Sequence, residues 1–361
     1  MYSLTPTLDA GAASANLGKL LDTDIDAKLF RGAIRHLHTS FDIYAATCPV
    51  PFIAPSLIVA PEMRRQSELY LPIADISRIF NRLYRHALTW QPVLSSTPFH
   101  IAPSWADLFV ALPPRLQFSA NPARLMEALL ADQELLTEFL FASFMPRRFY
   151  GGFGRYPLQV DFIREWLGTT WQSCGDKGLR CLDAACGSGE DSYSLANLLM
   201  ESGFAAGEIQ IEGWTLEPLE VWSAAHQIFP HDQRREAAFR RETTRLFERG
   251  YQAGIRFRCA DLTEISHNSP LSAGEANDVG QFDLILCNGL LGGPIINETE
   301  HLARVVSNLA SFLAPGGILL AADSFHSGWK SKCRDADLEA LFTQMGLKSL
   351  DAGEGVGGLK L

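Results

Sequence analysis

The sequence predicts an α/β fold in which a doubly wound, mostly parallel sheet of seven strands follows a mainly helical domain. Three observations predict it. From about Leu158 onward, short apolar runs that suit strands alternate with helical patterns. A strand, a tight loop of small residues and a helix start follow one another across residues 182–196. The first 150 residues instead show helical patterns separated by prolines. We therefore predict two domains, 1–150 and 151–361.

The N-terminal domain is predicted to be a helical accessory or substrate-capping domain. Residues 75–90 place Ile76, Phe80 and Leu83 near helical spacing. Residues 121–144 start with an Asn-Pro cap signal and continue with leucines at helical spacing, which predicts one long helix.

The C-terminal domain is predicted element by element. Its strands span residues 179–184, 209–216, 255–260, 282–287 and 318–322, with two short ones near 348–351 and 358–361. Its helices span residues 191–200, a stretch of 218–249 that Pro230 must interrupt, 302–313 and 335–345. A turn at 315–317, Pro-Gly-Gly, leads into the fifth strand.

Composition restricts the class of protein and its partners. The 361 residues are 47% hydrophobic and 20% charged, as in ordinary globular proteins. The formal net charge is −10, and residues 151–361 hold 18 basic against 28 acidic residues, so we expect no nucleic acid partner. We also expect no signal peptide, no membrane span and a cytoplasmic protein, because residues 1–21 lack a leader pattern and no long apolar run exists. We expect no metal, because the sequence contains no Cys-x-x-Cys pair.

The loop after the first strand of the C-terminal domain predicts a cofactor site. Glycines there let the backbone approach a ligand at the carboxyl edge of the sheet. Pyrophosphate does not suit this loop, since Ser192 stands in the place of a third glycine and two acids start the helix. S-adenosylmethionine carries a positively charged sulfonium and an amino group, which acidic side chains around the loop would attract. The alternative is that the acids only complement the helix dipole. The predicted cofactor residues of the loop are Asp183, Ala185, Cys186, Gly187, Gly189 and Glu190.

Later strand ends supply three further candidates. Glu217 follows the second strand and could accept both ribose hydroxyls, although Thr215 could occupy that place and Glu217 would then cap the next helix. Asp261 follows the third strand and could accept the adenine amino group, with a turn role as the alternative. Asn288 follows the fourth strand and could contact cofactor or substrate.

These residues resemble a known family. The run 184–196, Ala-Ala-Cys-Gly-Ser-Gly-Glu-Asp-Ser-Tyr-Ser-Leu-Ala, resembles the cofactor loop of CheR-type chemoreceptor glutamate methyltransferases, which reads roughly Ala-Gly/Ala-Cys-Ser-Thr-Gly-Glu-Glu-Pro-Tyr-Ser-Leu-Ala. The resemblance covers about residues 146–325. It implies the Rossmann-like fold of class I methyltransferases, S-adenosylmethionine as cofactor and a helical domain ahead of the catalytic one.

The chain departs from the family's pattern at three places. After the fourth strand the family has an Arg-Asn run and an Ile-Tyr pair, whereas residues 287–293 read Cys-Asn-Gly-Leu-Leu-Gly-Gly. A small β-subdomain that can bind a receptor tail is replaced by a short stretch, residues 239–254, that looks helical. The segment 144–157 only loosely resembles the family's Phe-Phe-Arg entrance. The resemblance therefore leaves the acceptor open.

We expect the methyl acceptor to be a carboxylate on a protein or a small molecule. A carboxylate needs no general base, because its ordinary pKa is near 4, and an arginine would suffice to orient it. The predicted catalytic residues are Arg147, Arg155 and Tyr156, where the two domains join; the alternative is an aromatic-rich, solvated linker.

Other functions stay open. A small-molecule O- or N-methyltransferase would need a base, for which His326 is a candidate. A catalytically idle cofactor-binding module and a nucleotide-dependent oxidoreductase are the remaining alternatives.

Overall fold

The chain divides into two compact units in the computed structural model. The sheet unit comprises Met1–Asp9, Phe149–Ile228 and Arg234–Leu361, and the helical unit comprises Ala10–Arg148 and Phe229–Gln233. Residues 1–9 thus lie outside the helical unit, although the sequence predicts a domain of 1–150. The structure describes residues 2–22, 24–47, 58–90, 102–145, 152–169, 178–265, 280–293, 295–323 and 333–361.

The helical unit packs around aromatic side chains. The rings of Tyr84 and Phe144 stack with centroids 3.9 Å apart, and Phe80 contacts the rings of Trp105 and Phe139. All five side chains are buried, so they form the core of this unit. Its helices are α1 (Ala10–Leu20), α2 (Arg31–Thr47), α3 (Pro61–Tyr70), α4 (Ile73–Ala87), α5 (Trp105–Ala111), α6 (Pro122–Ala131) and α7 (Gln133–Phe144).

The prediction of one helix over residues 121–144 is wrong, because the chain breaks between α6 and α7. Asp132 has an extended backbone, and its side chain accepts hydrogen bonds from the backbone N–H groups of Glu134 and Leu135, at 2.9 and 3.0 Å. An aspartate that satisfies the first N–H groups of a helix stabilises a new start at that point.

The sheet unit alternates strands and helices as predicted. In chain order it contains β1 (Ser3–Leu4), α8 (Pro157–Thr169), β2 (Leu179–Asp183), α9 (Glu190–Glu201), β3 (Ile209–Thr215), α10 (Pro218–His226), α11 (Gln233–Glu248), β4 (Ile255–Cys259), β5 (Phe282–Leu286), α12 (Thr299–Phe312), β6 (Leu313–Ala321), α13 (Asp335–Gln344), β7 (Leu347–Leu350) and β8 (Val356–Lys360).

One mixed sheet of order β1-β4-β3-β2-β5-β6-β8-β7 organises this unit. Strands β4, β3, β2, β5 and β6 run parallel, whereas β8 is antiparallel to both of its neighbours. The predicted doubly wound, mostly parallel sheet of seven strands is confirmed. The short β1 is an unpredicted eighth strand, antiparallel to β4, with Ser3 opposite Arg258. A strand of only two residues, Ser3 and Leu4, is too short to show the alternation of apolar and polar residues by which strands are recognised in a sequence.

The Pro-Gly-Gly run at 315–317 lies within β6 rather than ahead of it. The pairing with β5 shifts in register, because Phe282 lies opposite Leu313 whereas Leu284 lies opposite Ile318. Residues 314–317 of β6 therefore lie opposite the single residue Asp283 of β5. Gly316 at φ +79° permits this irregularity, since a side chain there would be strained.

The strand order reverses between β2 and β5, which are parallel neighbours. Ligands of open α/β sheets bind at such a reversal, at the carboxyl ends of the strands. The polar residues that follow β2, β3, β4 and β5 therefore meet at one edge. Among the described residues, the helices are each too short or too polar to cross a bilayer.

Candidate functional site

The loop between β2 and α9 is held in a left-handed backbone shape that favours glycine. Gly187 and Gly189 have φ angles of +53° and +93°. A β-carbon on Gly189 would lie 2.8 Å from the ring of Phe257, on β4. The Gly189 N–H donates to the Cys186 carbonyl and the Cys186 N–H to that of Trp214, so the loop is tied to itself and to β3. The backbone of the loop is thus pressed against the sheet, with no side chains at either glycine to obstruct a ligand.

The Ser188 side chain gives the loop an unused polar group. Its hydroxyl is fully buried and has no hydrogen-bond partner among the residues that the structure describes. Leaving a buried hydroxyl without a partner costs about 1–3 kcal/mol. A polar ligand in the loop would remove that cost.

Asp183, at the end of β2, is a buried carboxylate beside the loop. It accepts a hydrogen bond from the Ser192 hydroxyl at 2.7 Å. Burial, and next the nearby charge of Asp191, raise the pKa of Asp183 to about 7, while the Ser192 hydrogen bond and the charge of Arg155 act in the opposite direction. A cation placed beside Asp183 would favour its ionised form.

Two arginines compensate the acids at the start of α9. Arg235 of α11 donates from Nε to Glu190 Oε1 at 2.7 Å, with both side chains more than nine-tenths buried. Arg155 donates from Nη2 to Asp191 Oδ2 at 2.6 Å, again with little exposure. The sequence analysis did not identify either arginine partner of these acids. With Glu220 included, four carboxylates nevertheless face two guanidinium groups, so acidic groups still predominate.

Arg235 was missed in the sequence because α11 reads as a polar helix. Its buried positions are Arg235, Phe239, Thr243 and Leu246, which recur at helical spacing. An arginine that shares a face with Phe239 and Leu246 points inward and requires a carboxylate partner. The helical spacing of Arg235 with Phe239 and Leu246 is the feature of the sequence from which the burial of Arg235 could have been predicted.

The end of β3 places two acids near the loop. Glu217 is fully buried and caps α10, since its Oε1 accepts from the Leu219 N–H at 3.2 Å. Glu220 accepts from the Thr215 hydroxyl at 2.5 Å, and its Oε1 lies 3.8 Å from where a β-carbon on Gly187 would stand. Burial, as the largest cause, raises the pKa of Glu220. The structure therefore assigns a capping contact to Glu217 and adds Glu220, which the sequence analysis missed, to the acids beside the glycine loop.

Asp261, after β4, makes the turn contacts that were its alternative role. Its Oδ1 accepts from the N–H and the hydroxyl of Thr263, at 2.8 and 2.7 Å. Such a turn fixes the direction in which the chain leaves the sheet.

Asn288, after β5, joins several elements at the sheet edge. Its amide exchanges two hydrogen bonds with the amide of Gln159, on α8, at 3.2 and 2.9 Å. Its Oδ1 also accepts from the Ala322 N–H at 3.0 Å, and its Nδ2 donates to Asp191 Oδ2 at 3.4 Å. Both amides are buried. Asn288 thus holds the ends of β5 and β6 against the start of α9.

Of the three predicted catalytic residues, two lie in the described part of the chain. Arg155 lies at the strand-order reversal, because its Nη1 is 3.9 Å from where a β-carbon on Gly289 would stand. Tyr156 is buried, with the Arg155 guanidinium 5.3 Å from the centre of its ring. Arg147 and the alternative base His326 lie outside the described residues.

Comparison with known proteins bears on this site. Residues 153–326 match the family model described as CheR methyltransferase, SAM binding domain. A protein of Pseudomonas putida named "Probable biofilm formation methyltransferase WspC" is 28% identical over 150 residues, which are 41% of this chain and 34% of that protein. The "Chemotaxis protein methyltransferase" of Listeria monocytogenes is 29% identical over 154 residues, 40% of this chain and 53% of that protein. The match therefore spans about a third to a half of the length of these relatives.

Solved structures are also similar in part. The crystal structure of magnesium protoporphyrin IX methyltransferase (ChlM) from Synechocystis, with bound SAH, is 18% identical and covers 56% of this chain and 82% of its own, with a TM-score of 0.34. A TehB-like SAM-dependent methyltransferase from Corynebacterium glutamicum is 16% identical and covers 56% and 85%, with a TM-score of 0.33.

Proposed function

We propose that this protein transfers a methyl group from S-adenosylmethionine to a carboxylate on a protein or a small molecule, because residues 153–326 match the family model of the CheR methyltransferase SAM-binding domain. The observation that carries the proposal is the family match, which spans the glycine loop and every candidate cofactor residue. The groups at the strand-order reversal support the carboxylate acceptor.

The residues of the loop fit this cofactor. The unpartnered hydroxyl of Ser188 offers a hydrogen bond, and the two glycines leave the backbone accessible. The excess of carboxylates suits a ligand with a sulfonium and an ammonium group. When bound, S-adenosylmethionine supplies an electrophilic methyl group. The residues proposed to hold it are Asp183, Ala185, Cys186, Gly187, Gly189, Glu190, Glu217, Asp261 and Asn288, to which we add Ser188 and Glu220.

Arg155 is proposed to orient the acceptor. It lies where the strand order reverses, and the buried Asp191 carboxylate fixes its guanidinium. A guanidinium has five N–H donors and can bind a second carboxylate while it holds the first. A carboxylate acceptor is already ionised at neutral pH, so the protein needs to supply alignment and exclusion of water rather than a base. We propose supporting roles for Tyr156, which packs beside Arg155, and for Arg147.

The proposal is tested by methyl transfer from radiolabelled S-adenosylmethionine into fractionated lysate. A carboxyl methyl ester releases its label as volatile methanol in alkali, whereas labelled ethers and amines keep it. We expect alkali-labile label, and we expect Arg155→Gln to reduce the rate by about 100-fold or more, the order of a lost orienting contact. Arg164→Gln, which removes an exposed arginine of α8, is the matched control and should leave the rate unchanged.

Three outcomes would replace the proposal. Alkali-stable label would indicate a hydroxyl or amine acceptor. Tight S-adenosylhomocysteine binding without labelled product would indicate an idle cofactor-binding module. Calorimetry that shows NAD binding, with none for S-adenosylhomocysteine, would indicate an oxidoreductase.

We also propose a cytoplasmic location and an acceptor other than nucleic acid. Reduced cysteines support the first, since Cys181, Cys186 and Cys287 are buried free thiols. The net charge of −10 supports the second, because it repels phosphates.

A further inference from the structure

Helix α11 displays arginines on its exposed face. Six arginines and three glutamates lie between residues 234 and 249, and these six are a third of the basic residues in 151–361. One of them, Arg235, points inward. The exposed charged residues of the segment are five arginines and one glutamate, namely Arg234, Arg240, Arg241, Arg245, Glu248 and Arg249.

Four of these arginines form a row, which we name the arginine stripe: Arg234, Arg241, Arg245 and Arg249. Their spacings of seven, four and four residues place them on one side of a helix. Arg249 continues this row because its N–H still donates to the Arg245 carbonyl, at 3.2 Å.

Local stability accounts for the stripe only in part, although Glu248 stands three residues after Arg245 on the same side of the helix. Like charges four residues apart destabilise a helix, and the stripe contains two such pairs. The helix dipole favours cations in the last turn but disfavours them in the first, where Arg234 stands. The Arg241 guanidinium contacts Glu242 of the same helix, in a pair whose arginine is exposed and whose glutamate is partly buried, which contributes little.

The inner face of α11 fixes the stripe beside the cofactor loop. Arg235 holds Glu190, the first residue of α9. Phe239 packs edge-on against Tyr193, with ring centroids 5.9 Å apart, and Asn197 Nδ2 donates to the Glu242 carbonyl at 2.9 Å. The helix is therefore anchored along its length to α9, and its exposed side chains stand on a fixed support.

We propose that the arginine stripe is a docking surface for an acidic segment of a partner protein. The stripe spans about 24 Å, the length of a 16-residue helix, and is one side chain wide. Guanidinium groups form strong, two-pronged hydrogen bonds with carboxylates. A short acidic peptide can therefore lie along the arginine stripe without contacting the rest of the surface. A nucleic acid would extend beyond the stripe over a chain whose acidic residues exceed the basic ones by ten. Docking requires no methyl transfer, so the inference goes beyond the proposed function.

Fluorescence anisotropy tests the proposal with the full chain and a labelled peptide of alternating glutamate and alanine. We expect saturable binding that weakens with added salt. Arg241→Gln, Arg245→Gln and Arg249→Gln together should weaken it about tenfold or more, as expected for three lost ion pairs. The control combines Arg164→Gln, Arg304→Gln and Arg334→Gln, three exposed arginines of other elements, and carries the same change in charge.

Several results would overturn the proposal: no saturable binding by the unaltered chain, equal loss in the two triple variants, or equal or tighter binding of an oligothymidylate or of phosphatidylserine vesicles. Calorimetry with S-adenosylhomocysteine checks that each triple variant is folded. A chain that binds peptide but never transfers methyl groups would contradict the proposed function and leave the docking surface standing.

Discussion

The two arginines that face the acids of the α9 start come from segments far from them in sequence. Arg155 precedes α8 and Arg235 lies on α11, yet each contacts one acid of the pair Glu190 and Asp191. Their burial makes these pairs different from surface ion pairs, because removal of one partner leaves a charge without water or a counterion. The cofactor loop is therefore held by contacts that the local motif does not contain.

Replacement of Arg235 tests this contribution. We expect Arg235→Met to lower the free energy of unfolding by about 3–5 kcal/mol, because the Glu190 carboxylate would remain buried and unpaired. Adding Glu190→Gln should recover part of that loss. Urea unfolding measures both, with Arg164→Met as the control, for which we expect less than about 1 kcal/mol since its ion pair is exposed. Equal losses for Arg235→Met and Arg164→Met would contradict the prediction.

The raised pKa of Asp183 predicts opposite pH dependences for stability and for cofactor affinity. The pKa of Asp183 is about 7 in the folded chain, against 3.8 for an ordinary aspartate, so the fold binds the proton more tightly than the unfolded chain. Stability from this group is therefore complete below pH 4 and is lost as the pH rises to about 7. A cationic ligand prefers the ionised carboxylate, so its affinity should rise over that upper range.

Calorimetry with S-adenosylmethionine, which carries the sulfonium charge, one pH unit below and one above 7 measures the effect. We expect affinity to increase by up to about tenfold, the ratio of the ionised fractions. Asp183→Asn keeps an acceptor for the Ser192 hydroxyl and should remove this dependence, leaving only the titration of the ligand itself. Identical pH profiles for the two proteins would refute the role of Asp183.

At the scale of single elements, the loop before α9 depends on contact with β4. Gly189 and Gly203 have nearly the same φ, +93° and +95°, but only Gly189 faces a neighbour, the Phe257 ring. Alanine at either position brings backbone strain of about 1 kcal/mol or more. We expect Gly189→Ala to displace the loop from β4 as well, and to reduce S-adenosylhomocysteine affinity by at least tenfold. Gly203→Ala should leave that affinity unchanged in the same calorimetric measurement, and a comparable loss would contradict the prediction.

Sequence periodicity predicted four of the five parallel strands, β2, β3, β4 and β5, to within one residue, because each is a short apolar run between turn signals. Sequence periodicity did not predict the positions at which a single residue starts a helix or permits an irregularity in a strand. Asp132 starts a new helix inside a continuous leucine pattern, and Gly316 lets β6 begin before its predicted turn. The candidate site likewise contains a part that the sequence predicted and a part that it did not. The glycine loop was visible as a motif, whereas Glu220 and Gln159 join it through contacts that only the folded chain creates.

At the scale of the whole molecule, the proposed cofactor residues all lie in the sheet unit, and the helical unit has an aromatic core of its own. A ligand stabilises what it binds by about 2.7 kcal/mol when its free concentration is about 100 times Kd. That stabilisation extends only to the structure that must be folded for binding. Whether the two units unfold together is therefore open to measurement with the cofactor product.

We expect S-adenosylhomocysteine to slow amide hydrogen exchange in β2, β3, β4 and β5 and in α9, and to leave α4, α5 and α7 unchanged. The reason is that the first group forms or supports the site, whereas the second packs around Tyr84, Phe80 and Phe144. Exchange with mass-spectrometric readout reports both groups in one experiment, with Gly189→Ala as the variant that should lose the protection. Equal slowing in α4, α5 and α7 would show that the units unfold as one, and the helical domain would then be part of the same cooperative structure as the cofactor site.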